Sequence, residues 1–359
     1  MRVKNYNART FGGISCYMTI SVTLICKNEE ENLKRLLPAL TFADEIVVVD
    51  TGSCDGTVTV ARRYTDNVYF YSWRDNFASA RNYAVKKANC DYVMWLDADD
   101  ELPEAAVNKL AELKRTPEPA DTYFMRYRMG QNGEYWFWRE RIVRRCAKCR
   151  FNGFIHEAIT PFGRTEYISA DVVHTSSADH SARNLAIYQS ALARGKRFTA
   201  RDRYYYARTL MENGMTAEAE PLLERFCRNV RAYEVDRAHG CKLLARISLT
   251  RKDYAKALSA LSASVAILPP DAETCCLFGD VYLAVRRYDL AAVWYEYALS
   301  SNCQYGFVNG YYKLFYPCVS LSVCYWNLND RQKAKAYHLR ARTLRPTDST
   351  VISNDKWFA

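Results

Sequence analysis

No apolar run in this 359-residue chain approaches the about 18–20 residues that a helix needs to span a bilayer, so any membrane contact is expected to be peripheral. Nor does a hydrophobic signal segment follow Met1, which leads into the polar run RVKNYNART. The thirteen cysteines are odd in number and scattered, and they read as reduced thiols of a cytoplasmic protein rather than as a disulfide framework. Beside Cys146 and Cys149 there is neither a second CxxC nor a nearby HxxxH, so a zinc site there would lack half its ligands. A basic tail is missing too. The net charge of +10 is spread along the chain, and nucleotide diphosphates or anionic lipids satisfy such a bias as well as nucleic acid, which is not an expected partner. Histidine is scarce, at five residues, yet His156, His174 and His180 fall within 25 positions of one another.

The length points to two domains, each able to bury its own core. From Thr19 to Cys26 the run TISVTLIC is apolar and β-branched, and it gives way to the helical pattern EEENLKRLLPAL. EIVVVD, NVYFY and YVMWLDADD repeat the strand signal, with VTVARRY and FASARNYAVKKA between them. This βαβαβαβ alternation predicts a mostly parallel, Rossmann-like α/β sheet covered on both faces, with ligands at the carboxyl ends of its strands. Further strands and loops are expected over 121–175, where Trp136 and Trp138 would share one face of an extended segment.

Beyond about residue 180 the texture becomes helical. Ala219, Ala257, Ala291 and Ala334 recur at intervals of 38, 34 and 43 residues, and the middle interval equals the tetratricopeptide period. Twelve residues before each stands another small side chain, at Ala207, Ala245, Gly279 and Ser322. Four imperfect repeats are expected, with an insertion around 302–312. The predicted division is an N-terminal extension over 1–18, a catalytic domain over 19–180 and an all-α repeat domain over 181–359.

The chemistry concentrates at the strand ends. Asp97 and Asp99 follow the apolar strand YVMWL directly, and paired hard-oxygen ligands of this kind hold Mg²⁺ or Mn²⁺ while the metal's other positions take diphosphate oxygens. A bound cation would neutralise charge building on a departing nucleotide. Asp50 can accept from the N–H of a uracil-like base, and Thr51, Gly52 and Ser53 let the backbone turn closely around it. Arg81 carries a fork suited to a base or a phosphate.

ISVTLICKNEEENL, ADEIVVVDTGSCDGT, WRDNFASARNYA and DYVMWLDADDEL together resemble the successive motifs of family 2 glycosyltransferases with the GT-A fold. FNGFIHEAI followed by VVHTS is similar to the subgroup with C-terminal tetratricopeptide repeats, which includes sublancin-type bacteriocin S-glycosyltransferases and flagellin glycosyltransferases. The resemblance implies an inverting transferase for a nucleotide sugar, with a UDP-sugar as the expected donor. It places the nucleoside at Ile25, Cys26, Asn28, Glu29, Asp50 and Thr51. Asp97 and Ala98 would meet the ribose and diphosphate, and Asp97, Asp99 and His174 would hold Mn²⁺ or Mg²⁺. Many such enzymes carry a second acid after the Asp50 position, where this chain has Thr51.

An inverting displacement needs a base for the acceptor's proton, and either Glu157 or His156 can serve. The acceptor is expected to be a Ser, Thr or Cys side chain of a protein or peptide, with the repeats presenting it or pairing two copies as a homodimer. The alternative acceptor is a lipid-linked or cell-envelope glycan. A reading of a different class is a non-catalytic repeat scaffold.

Overall fold

The computed structural model describes residues 18–130, 134–175, 179–303 and 305–358. The extension expected over 1–18 therefore lies, except for Met18, outside the described residues. The chain divides into two compact units, Met1–Asp179 and His180–Ala359.

The first unit runs β1 (Ile20–Cys26), α1 (Glu30–Leu36), β2 (Glu45–Asp50), α2 (Thr57–Ala61), β3 (Val68–Phe70), α3 (Phe77–Lys87), β4 (Tyr92–Asp97), β5 (Asp100–Glu101) and α4 (Glu104–Leu113). It continues through β6 (Thr122–Met129), β7 (Tyr135–Arg144), β8 (Phe151–Asn152), β9 (Ala158–Ile159) and β10 (Thr165–His174). The main sheet has the order β3-β2-β1-β4-β7-β6-β10-β5. β1 to β4 are mutually parallel, whereas β7 runs antiparallel to both β4 and β6. Strands buried on both faces have no polar side to alternate, which is why they read as continuous apolar runs. Ile20, Val22, Leu24, Val48, Met94 and Leu96 share one core with Leu33 and Leu36 of α1 and Leu110 of α4. On the opposite face Val47 and Val49 pack against Ala84 of α3.

The second unit is α5 (Ser181–Ala193), α6 (Ala200–Glu212), α7 (Thr216–Cys227), α8 (Glu234–Thr250), α9 (Tyr254–Ile267), α10 (Ala272–Ala284), α11 (Tyr288–Ser300), α12 (Tyr316–Asn327), α13 (Arg331–Leu344) and α14 (Ser349–Phe358). Four successive pairs, α6 with α7 through α12 with α13, form the tetratricopeptide-like array. Ala219, Ala257, Ala291 and Ala334 each sit on the second helix of a pair with no exposed surface, and Ala207, Ala245 and Ser322 on the first helices are equally closed. A Cβ built on Gly279 would come within 2.6 Å of the Tyr295 ring, so helices approach there closely enough to require glycine. Each pair turns through one residue in the left-handed region, at Gly214, Lys252, Arg286 and Asn329, five positions before its alanine.

The expected insertion leaves α11 after Ser300 and rejoins α12 through a π-helical turn, Tyr311–Phe315. It lies against the first helices. The Phe307 ring stands 5.9 Å from His239 with the Arg208 guanidinium 5.0 Å above it, and Arg246 donates to the Tyr312 hydroxyl at 2.8 Å. Beneath it, Lys242 is 3% exposed and donates at 2.8 Å to both Asp271 and Glu273, while Arg246 reaches Glu273 at 2.6 Å.

Burial opposes ionisation of Glu273, but Lys242 and Arg246 override it and hold the carboxyl well below its ordinary 4.5. A depressed folded-state value means that this stabilisation is present above about pH 4.5 and is lost as the pH falls further. Glu273→Gln is therefore expected to remove about 2–3 kcal/mol at pH 7 and to flatten the acid limb below pH 4.5. Urea unfolding of the helical unit on either side of that pH checks both effects.

Candidate functional site

Parallel register brings the strand ends to one level. Cys26 lies opposite Asp50, and Ile25 opposite Asp97. After β1 the chain turns at Asn28, whose φ is +57°. The Asn28 N–H donates to Ser53 Oγ at 2.8 Å, its side-chain oxygen accepts from the Cys54 N–H at 2.8 Å, and the Glu29 N–H donates to Thr57 Oγ1 at 2.7 Å. Thr51 donates its N–H and its hydroxyl to the Cys26 carbonyl at 2.9 and 3.0 Å. Asp50, 2% exposed, accepts from the N–H groups of Gly52 and Ser53 at 3.1 and 3.2 Å, which fixes its carboxylate at the strand end. Burial, then the Asp50 charge, pushes the Cys26 thiol far up, so it is an inert wall.

Asp97 ends β4 on the side facing α3. Arg81 of that helix is 6% exposed and bridges two carboxylates: its Nη2 donates to Asp97 and its Nε to Glu157 at 2.6 Å. The guanidinium also lies 4.7 Å from the Trp95 ring. Burial works against the charges of Arg81 and Asp97, but their mutual attraction, with Glu157 and Arg141 adding to it, raises the arginine's pKa and depresses the aspartate's. The fork of Arg81, expected to meet a base or a phosphate, is engaged here by two carboxylates of the protein. Glu157 is 6% exposed and its carbonyl accepts from Arg139; the neighbouring His156 is half-buried and takes φ +53°.

After the turn through Ala98 and Asp99, β5 pairs with the end of β10 so that Asp100 stands opposite His174. The Asp99 carbonyl accepts from the N–H and hydroxyl of Thr175 at 3.1 and 2.8 Å. His174 Nδ1 lies 3.5 Å from Asp99 Oδ1, 3.6 Å from Asp100 Oδ1 and 2.9 Å from the Tyr127 hydroxyl, which itself reaches Asp97 at 3.4 Å. Asp99, Asp100 and His174 can each offer a ligand atom within 4.8 Å of the others. Burial pushes the Asp99 carboxyl up to about 6; His174 opposes this, and the charges of Asp97 and Asp100 add to it. His174 is raised as well: burial is outweighed by the neighbouring Asp100 and Asp99 carboxylates.

This donor set fits Mn²⁺ or Mg²⁺. Asp100 Oδ1 is fully buried without a hydrogen-bond partner, and a crowd of carboxylates at a strand end is what a hard cation relieves. Asp97, also expected among the ligands, meets Arg81 and the Tyr127 hydroxyl.

Residues 21–188 match the family model described as glycosyl transferase family 2. They form a family 2 glycosyltransferase domain. The chain is 32% identical over 142 residues to a TPR repeat-containing protein of Synechococcus elongatus, covering 39% of this chain and 35% of that one. It is 32% identical over 101 residues to the lipopolysaccharide core biosynthesis glycosyltransferase LpsC of Rhizobium meliloti, covering 27% of this chain and 37% of LpsC. With the SPbeta prophage-derived glycosyltransferase SunS of Bacillus subtilis it shares 27% identity over 144 residues, 39% of this chain and 34% of SunS. The chain thus spans about a third of the length of these relatives.

Within the glycosyltransferase domain, Asp100, Tyr127 and Arg141 were not singled out by sequence reasoning. All three fall in or beside segments expected to be strands, where residue type alone does not mark them out. Trp136 and Trp138 do share a face, with ring centroids 5.9 Å apart, and both are half-buried. Among the described residues no helix is long and apolar enough to cross a membrane.

Proposed function

We propose that this chain is an inverting, metal-dependent glycosyltransferase of the cytoplasm that moves a sugar from a UDP-sugar to a Ser, Thr or Cys side chain of a protein or peptide. The observation that carries this reading is the Asp97–Arg81–Glu157 bridge beside the Asp99–Asp100–His174 cluster, at the carboxyl ends of parallel strands. The stapled turns at Asn28 and Asp50 hold the nucleoside, with Asp50 accepting from the base. Asp99 and His174 hold the cation, and when bound it stabilises charge on the leaving diphosphate. Asp97 orients the ribose and donor, and Arg81 keeps Asp97 and Glu157 a single guanidinium apart.

Glu157 receives the acceptor's proton as the new bond forms at the anomeric carbon and the bond to the diphosphate breaks on the opposite face. His156 is the alternative base. The helical unit presents a macromolecular acceptor or pairs two copies. A second reading, in which a cell-envelope glycan is the acceptor, is favoured by the match to LpsC.

A panel of nucleotide sugars tests the donor assignment. A UDP-sugar at about 100 times its Kd is expected to stabilise the protein by about 2.7 kcal/mol, with Mn²⁺ and not with EDTA, and to release UDP slowly. If no nucleotide sugar raises the melting temperature in Mn²⁺, the reading falls.

A further inference from the structure

Among the described residues, Arg141 is the largest side chain with no exposed surface. It occupies a β-bulge: Tyr123 pairs with Ile142 and Phe124 with Glu140, which leaves Arg141 without a residue opposite it. A bulge re-aims the side chain of the extra residue, and here the guanidinium enters the wall of the cation site. Its Nη1 is ion-paired with Asp100 Oδ2 at 3.1 Å and donates to the Trp95 carbonyl at 3.2 Å, and its carbon lies 4.0 and 4.2 Å from the Trp95 and Tyr127 ring centroids. Its Nε and Nη2 have no hydrogen-bond partner.

Asp100, equally closed to solvent, uses the oxygen that faces Arg141 to accept from the Asp97 N–H at 2.9 Å as well. That bond draws the Asp97-Ala98-Asp99 turn tight. Its other oxygen is the partnerless Oδ1, 3.6 Å from His174 Nδ1. A buried ion pair of this kind is poor evidence for stability, since an apolar pair often does as well. His174 Nδ1 faces this carboxylate and is hydrogen-bonded to the Tyr127 hydroxyl at 2.9 Å, and a histidine fixed at one ring nitrogen is, in contrast, the usual form of a metal ligand.

We propose that Arg141 and Asp100 are positioning residues for the cation: Arg141 fixes Asp100, and Asp100 sets both the Asp97–Asp99 turn and the His174 ring, so that Asp99 and His174 converge on one ion. This rests on the metal-dependent reading given above. The ligand set is then Asp99, from the turn before β5, and His174, from the end of β10.

The test is Mn²⁺ binding to the purified full chain by calorimetric titration, with the melting temperature recorded alongside. Asp100→Asn is expected to weaken Mn²⁺ binding at least tenfold, in line with the about 10–100-fold effect of outer ligand supports. Arg141→Lys, which keeps the charge against Asp100, is expected to stay within about threefold of wild type by the same scale. A folded Asp100→Asn protein with wild-type Mn²⁺ affinity overturns the proposal, whatever its melting temperature, because a merely structural pair would move stability alone. If Asp100→Asn does not fold, the double variant Asp100→Asn/Arg141→Met removes both charges together. It is expected to fold with Mn²⁺ binding weakened to the same extent, and wild-type affinity there overturns the proposal equally. A wild-type chain that binds no Mn²⁺ removes the metal reading itself, and this inference with it.

Discussion

Asp99→Ala is expected to abolish Mn²⁺-dependent release of UDP, lowering turnover at least about a hundredfold, because loss of a direct ligand should exceed the about 10–100-fold penalty for losing an outer support. The fold should not suffer. Asp99 sits among like charges in a site where burial lifts its carboxyl to about 6, so its ionised form is held at neutral pH against an adverse environment. Alanine relieves that crowding and opens no core. The apo variant should melt no lower than wild type, while the rise in melting temperature given by Mn²⁺ disappears. Turnover that survives unchanged in the presence of metal would remove Asp99 from the site.

Glu157→Gln is expected to leave donor affinity within about threefold and to cut the transfer rate by about 10²–10⁴-fold, the usual range for losing a positioned base. The amide oxygen can still accept from Arg81, so the bridge to Asp97 keeps its shape, but no proton can be taken up. Single-turnover kinetics with saturating donor separates transfer from binding. Transfer within about tenfold of wild type, less than about 1.4 kcal/mol of lost transition-state stabilisation, would assign the proton to another group, with His156 next in line.

Much of the architecture is written in residue patterning. The first four strands announce themselves because burial on both faces makes them uniformly apolar. The repeat register shows because close helix packing admits only small side chains at Ala207, Ala245, Gly279 and Ser322 and at their four partner alanines. Asp97 and Asp99 stood out for a related reason, since carboxylates directly after an apolar strand are exceptional.

What sequence could not reveal depends on pairing across long separations. Asp100 meets His174 only because a two-residue strand returns to the end of β10, and Arg141 reaches Asp100 only because a bulge rotates it inward. In the run RERIVRR nothing distinguishes Arg141 from its neighbours. The turn that closes each helical pair was hidden for the opposite reason: the same left-handed backbone recurs, but glycine, lysine, arginine and asparagine fill it in turn.

The segment from Tyr305 to Tyr312 lies along the first helices of the array and covers part of their surface. A peptide seeking that face would compete with a rival tethered permanently at hand, whose effective concentration no dilution lowers. If the internal rival were seated about 99% of the time, an outside peptide would bind about a hundredfold more weakly than its contacts alone allow. Recruitment would then favour partners that are abundant, or that grip the protein at a second place and so outbid the tether by avidity.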